Sequence, residues 1–162
     1  MKKTWMEKLE DKASLPKVLK LESRFPCYNA VHKMGADVGD DIVLVNPSEV
    51  VVIMKQVPKG KLTTIVEICI KLAKRHNTKG CCSLTTGIFI MTAANAVEEA
   101  RREGQLMDIP YWRTLKADGS LNPKYPGGQE AHKKLLEQEG HQVVQKGKKY
   151  LVRDFQKYLT SL

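Results

Sequence analysis

The 162-residue chain, 42% hydrophobic and 28% charged, has the composition of one globular domain with a real core. Its 27 basic and 18 acidic residues give a formal charge of +9, which favours a polyanionic partner such as nucleic acid and fits a merely solvated basic surface as well. No apolar run reaches the roughly 18 residues of a membrane span, so no membrane partner is expected. The opening MKKTWMEKLEDK lacks the apolar core of a secretory signal, which points to the cytoplasm. There Cys27, Cys69, Cys81 and Cys82 are expected as free thiols. His32, His76, His132 and His141 show no ligand spacing, so neither a metal nor a cofactor is expected.

In chain order, residues 1–41 read as an N-terminal extension and 42–162 as the main domain. Trp5 to Leu9 suits a short helix. Leu15 to Leu21 alternates apolar and basic residues like an edge strand or extended arm packed on the core. Phe25 and Tyr28 offer an aromatic pair to the core, and Gly35 to Asp41 reads as a loop. Ile42 to Val45 is a strand or an extended lead-in. Asn46-Pro47-Ser48-Glu49 then starts a helix, with Asn46 as N-cap, that buries Val50, Ile53, Met54 and Val57 and ends at Pro58-Lys59-Gly60-Lys61.

Thr64 and Glu67 form a capping box for a helix running to about His76, with Ile65, Ile68, Cys69 and Leu72 inside. Asn77 to Gly80 reads as a turn. Thr85 or Thr86 caps a second helix, roughly Gly87 to Arg102, with Phe89, Ala93, Ala96, Val97 and Ala100 on its apolar face. Its small residues allow close approach to another helix or to a DNA groove. Next comes Pro110-Tyr111-Trp112-Arg113, a turn at Asp118-Gly119, the Gly127-Gly128 pair, and an amphipathic helix stopped by Gly140. Beyond it, alternation around Lys146-Gly147 predicts a β-hairpin with Lys146, Lys148 and Lys149 at its tip. Asp154 caps a last short helix that buries Phe155, Tyr158 and Leu159.

The stretch from Ile109 to Gly140 resembles the active-site segment of the alkylguanine-DNA alkyltransferases (methylated-DNA–protein-cysteine methyltransferases). That family reads Ile-Pro-Cys-His-Arg, a turn, Gly-Gly, and a helix ending Leu-Leu-x-x-Glu-Gly. Ile109, Pro110, Arg113, Gly119, Gly127, Gly128, Leu135, Leu136, Glu139 and Gly140 fall in step. Upstream, Val57-Pro58-Lys59-Gly60-Lys61-Leu62-Thr63-Thr64-Ile65 is similar to the family's Val-Pro-x-Gly-Lys-x-Thr-Thr-Tyr turn. The resemblance implies a mainly α fold with a small β-hairpin (α+β), a winged helix-turn-helix domain behind an N-terminal extension.

Four working positions differ. Tyr111 stands where the family has its acceptor Cys and Trp112 where it has the activating His. Ile65 replaces the Tyr that helps rotate the nucleotide, and Asn95 best matches the Arg that enters the duplex. A phenol with a pKa near 10 is protonated at neutral pH, and an indole cannot accept a proton, so alkyl transfer by the family's route is not expected. The alkyltransferase-like branch, which lacks the Cys and binds alkylated DNA without repairing it, is the nearer comparison.

A non-enzymatic DNA-binding protein for alkylated guanine is therefore expected, with double-stranded DNA and repair proteins as partners. Its candidate pocket is Pro110, Tyr111, Trp112, Arg113, Gly127 and Gly128, with Tyr111 and Trp112 either shaping it or filling it. Candidate DNA contacts are Thr63, Thr64, Thr85, Thr86, Thr92, Asn95, Lys146 and Lys148. Glu98 and Glu99, further along the second helix, would repel phosphate. Two alternatives stand beside this reading: a methyltransferase homologue using a displaced thiol, Cys69 or Cys82, and a protein-interaction module that has lost DNA.

Overall fold

The computed structural model describes residues 2–11 and 14–162; Met1, Lys12 and Ala13 lie outside the described residues. The architecture is mixed α/β, with more strand than the sequence pattern led one to expect. Thr4 caps α1 (Trp5–Glu10) through a capping box with Glu7. β1 (Lys17–Lys20) pairs antiparallel with β2 (Asp41–Leu44), and β2 pairs in parallel with β4 (Gly80–Cys81), giving a three-stranded sheet in the order β1-β2-β4. Between β1 and β2 lies α2 (Tyr28–Lys33), a helix without a side-chain cap that the sequence pattern does not announce.

α3 (Pro47–Lys55) begins as expected: the Asn46 side chain accepts from the Glu49 N–H, and Glu49 accepts from the Asn46 N–H. Its buried Val50, Ile53 and Met54 join Ile68, Leu72, Ala93 and Val97 in the main core. β3 (Thr63–Thr64) leads into α4 (Ile65–Arg75), whose first turn is capped by the Thr64 hydroxyl accepting from the Glu67 N–H. The expected turn at 77–80 forms, with Asn77 at φ +54°, and its last residue, Gly80, opens β4, after which α5 (Ser83–Arg102) follows. Its N-cap is Cys82, so neither Thr85 nor Thr86 caps it. Both lie inside the first turns, and the Thr86 hydroxyl donates back to the Cys82 carbonyl at 2.9 Å.

α5 is the spine of the molecule. It packs on α1, α3 and α4, and its Ala93, Ala94 and Ala96 are buried. Of the two uses open to these small residues, close approach to another helix is the one realised. Glu99 anchors the N-terminal segment, accepting from the Trp5 and Met6 N–H groups at 3.3 and 3.4 Å.

β5 (Thr114–Leu115) pairs in parallel with β3, placing the segment after the tetrad beside the start of α4. α6 (Gly128–Glu137) and the hairpin of β6 (Val143–Lys146) and β7 (Lys149–Val152) close the chain around a core of Leu62, Leu115, Leu121, Leu136 and Val152. The hairpin register puts Lys146 opposite Lys149, with Gly147 in the turn at φ +63°. The last helix is a 3-10 turn, Phe155–Tyr158, and Asp154 does not cap it through its side chain.

Candidate functional site

Tyr111–Arg113 form one 3-10 turn, which the sequence leads one to place around a pocket. The structure turns these side chains inward. Tyr111 is buried at 1% exposure, and its hydroxyl donates to the Glu98 carboxylate at 2.8 Å. Burial, and then that hydrogen bond, raise its pKa well above the ordinary 10, so the phenol stays protonated. The Tyr111 ring sits edge-on to Trp112 on one side and to Tyr125 on the other, with centroids at 5.4 and 5.1 Å.

Arg113 is a structural clamp. Its guanidinium makes a two-pronged bond to Glu139 (Nε to Oε1 at 2.9 Å, Nη2 to Oε2 at 2.6 Å), and Nη1 donates to the Val57 carbonyl at 2.7 Å. One side chain thus ties the end of α3, the 3-10 turn and the end of α6. Burial opposes ionisation of Glu139, yet the bond to Arg113 and its charge hold the carboxyl below its ordinary value. The Trp112 indole N–H lies by that carboxylate without completing a hydrogen bond.

Gly127 and Gly128, at φ +83° and +74°, start α6, and a Cβ at Gly127 would come within 2.6 Å of the Ala131 Cβ. Of the six expected pocket residues, Pro110 and Tyr111 are buried, Trp112, Arg113 and Gly128 half-buried and Gly127 exposed, and none of the six lines the open cavity.

The open cavity lies on the far side of Tyr125. It has a volume of about 410 Å³, and its wall includes Ile65, Cys69, Leu84, Ile90, Thr114 and Tyr125. α2 closes one side through Cys27, Ala30 and Met34, while Lys116 and Asn122 add polar groups on another. Tyr125 is fixed there by donating its hydroxyl to the Thr114 carbonyl at 3.0 Å. The Thr114 hydroxyl, 2% exposed, has no partner within the protein. That oxygen is sealed from the chamber, so the polar edge of this apolar wall is formed by Lys116 and Asn122, an arrangement that suits a flat ligand with a polar rim. The cavity's two thiols are protonated: burial pushes Cys27 up to about 12, and interaction with Cys81 together with burial raises Cys69 still further. Cys82 is absent from this wall, and its sulfur accepts from the Thr85 hydroxyl at 3.3 Å.

No family model matches the sequence, and no curated protein is similar to it in sequence. The fold does have solved counterparts. S. pombe Atl1, in a complex with damaged DNA containing O6-carboxymethylguanine, superposes with a TM-score of 0.51 at 18% identity, over 72% of this chain and 94% of that one. This chain has the alkyltransferase-like fold. A second structure, S. pombe ATL in complex with DNA, gives 0.49 at the same identity and coverage.

Within this fold the expected DNA contacts divide. Thr63, Thr86 and Thr92 are buried and unavailable to phosphate; the Thr92 hydroxyl donates to the Ile88 carbonyl at 2.8 Å. Thr64 is buried as the cap of α4. Asn95 is half-buried and donates to the Met91 carbonyl at 2.9 Å, a mid-helix bond that keeps it against its own helix. Thr85 is half-buried, whereas Lys146 and Lys148 are exposed at the hairpin tip. Glu98 and Glu99 are engaged by Tyr111 and by the start of α1, so their role is internal. The signals that sequence reasoning missed are Thr114 and Tyr125, the one a strand residue with a stranded hydroxyl, the other an aromatic just before the Gly-Gly pair.

Proposed function

We propose that the protein is a non-enzymatic DNA-binding protein of the alkyltransferase-like kind, which accepts an everted base in the cavity between Ile65, Thr114 and Tyr125. The observation that carries this reading is that apolar chamber, edged by Lys116 and Asn122, in a fold shared with a protein solved on damaged DNA. A purine has a flat apolar face and a hydrogen-bonding edge, the two features such a wall serves. The charge of +9 supplies affinity for the phosphates, with Lys146 and Lys148 at the hairpin tip as contacts. The cavity itself offers no ready acceptor for an alkyl group, because Tyr111 is buried and protonated, burial raises Cys27, and the bond to Cys81 together with burial raises Cys69.

The test is fluorescence anisotropy on two short duplexes, one carrying a single alkylguanine and one unmodified, at two salt concentrations, with intact-mass analysis of the recovered protein. Tighter binding to the adduct with unchanged protein mass is the expected result. A mass increase by the alkyl group would overturn the non-enzymatic assignment, and no binding to either duplex at low salt would overturn the DNA reading altogether.

A further inference from the structure

Next to the cavity, α5 leaves a face without a partner. Leu84, Ile88 and Met91 follow one another at helical spacing, and Leu84 and Ile88 are 51% and 55% exposed. Facing them across a groove of about 340 Å³ stand Lys116, Pro123 and Lys124. No acidic residue lines this groove. The nearest carboxylate in that loop, Asp118, is already bonded to Ser120 and to Lys149. Neither the Lys116 nor the Lys124 ammonium has an ion-pair partner among the described residues.

Leu84 and Ile88, exposed one turn apart above the half-buried Met91, offer no hydrogen bond to phosphates or base edges, whereas protein–DNA interfaces are polar and wet. A stripe of this kind, bordered by two free cations, is instead the complement of an amphipathic helix with acidic flanks. We propose that the groove between α5 and the 116–124 segment docks an acidic amphipathic helix of a partner protein. Apolar anchors one turn apart lie along Leu84, Ile88 and Met91, and the partner's carboxylates meet Lys116 and Lys124. This inference does not rest on the DNA reading, since the peptide needs only the groove; because Leu84, Lys116 and Asn122 line both groove and cavity, a docked peptide and an everted base compete.

The experiment uses the full chain and two fluorescein-labelled synthetic helices of the same apolar pattern, one flanked by glutamates and one by lysines. The acidic peptide is expected to bind, weakening as salt rises, and the lysine-flanked peptide to bind at least about tenfold more weakly. Ile88→Glu and Lys124→Glu alter exposed positions, so the variants are expected to fold, with unchanged thermal melts. Each should weaken the acidic peptide about tenfold or more, the scale of one lost anchor or charge pair. Equal binding of the two peptides, or binding indifferent to Ile88→Glu, would overturn the proposal. So would a concentration-dependent dimer in sedimentation that Ile88→Glu abolishes, which would give the face to a second copy. Loss of duplex affinity in Ile88→Glu without loss of peptide affinity would give it to DNA.

Discussion

Protonation of His132 should unfasten the segment that supports the cavity. The ring is 1% exposed, between the Trp112 carbonyl, 2.8 Å from Nε2, and the Asn122 N–H, 3.3 Å from Nδ1. Both contacts are met by one neutral tautomer, with Nε2 donating and Nδ1 accepting. A second proton breaks the bond from Asn122 and places a charge where water cannot reach. Burial accordingly lowers the pKa from 6.5 to about 4, against a smaller opposing effect of the Trp112 bond.

The unfolded chain takes up this proton near 6.5 and the folded chain near 4, so the stabilisation is complete above 6.5 and is lost as pH falls towards 4. The whole interval is worth about 3 kcal/mol, of which about 2 kcal/mol disappears between about pH 7 and 5. Urea unfolding of the wild type and of His132→Gln at those two pH values measures it, together with the imidazole NMR titration. The wild type should lose about 2 kcal/mol, and the variant should retain only the smaller slope contributed by His141, which burial also lowers. An imidazole pKa at or above 6.5, or equal slopes in wild type and variant, would refute the reasoning.

Arg113→Ala leaves Glu139 buried without its counter-ion, and a loss of about 3–5 kcal/mol in denaturant unfolding is expected; a loss under about 1 kcal/mol would contradict the clamp. Tyr111→Phe removes only the bond to Glu98 and should cost about 1–2 kcal/mol, with duplex affinity unchanged because the ring does not line the cavity. A drop in affinity without loss of stability would put Tyr111 in the site after all. Gly119→Ala should lower the melting temperature measurably, by roughly 1–3 kcal/mol in stability. Its φ is +84° and the added Cβ would meet the Phe155 ring at 2.2 Å; an unchanged melt would show that this ring moves aside freely.

What the sequence made legible was local. The Asn46 to Glu49 box, the Thr64 half of the expected Thr64–Glu67 box and the Lys146-Gly147 hairpin turn depend on residues within a few positions of each other, and these form. The fates of Tyr111 and Arg113 depend on carboxylates 13 and 26 positions away, on α5 and at the end of α6. Nothing in the spacing of the tetrad reveals those pairings. The same holds for Thr86 and Thr92. Polar residues near an expected helix start look like caps, but a helix beginning at Ser83 turns them into inward groups that bond their own preceding turn. The cavity escaped notice because its wall is assembled from four separated stretches, one of them α2, a six-residue helix without a cap bond. The resemblance singled out residues 109–140, and that stretch supplies Thr114, Leu115, Lys116, Asn122 and Tyr125 to the cavity wall but none of the six expected pocket residues.

Entry of a base into that chamber is the claim to test most directly. A duplex with 2-aminopurine at one position reports loss of stacking as a rise in fluorescence, and Ala30→Trp fills the cavity from an exposed position on its wall. The account predicts a fluorescence rise with the wild type and none with Ala30→Trp, while both proteins hold the duplex with similar salt-dependent affinity. An equal rise with both proteins would contradict it, because the base would then be held somewhere other than between Ile65, Thr114 and Tyr125.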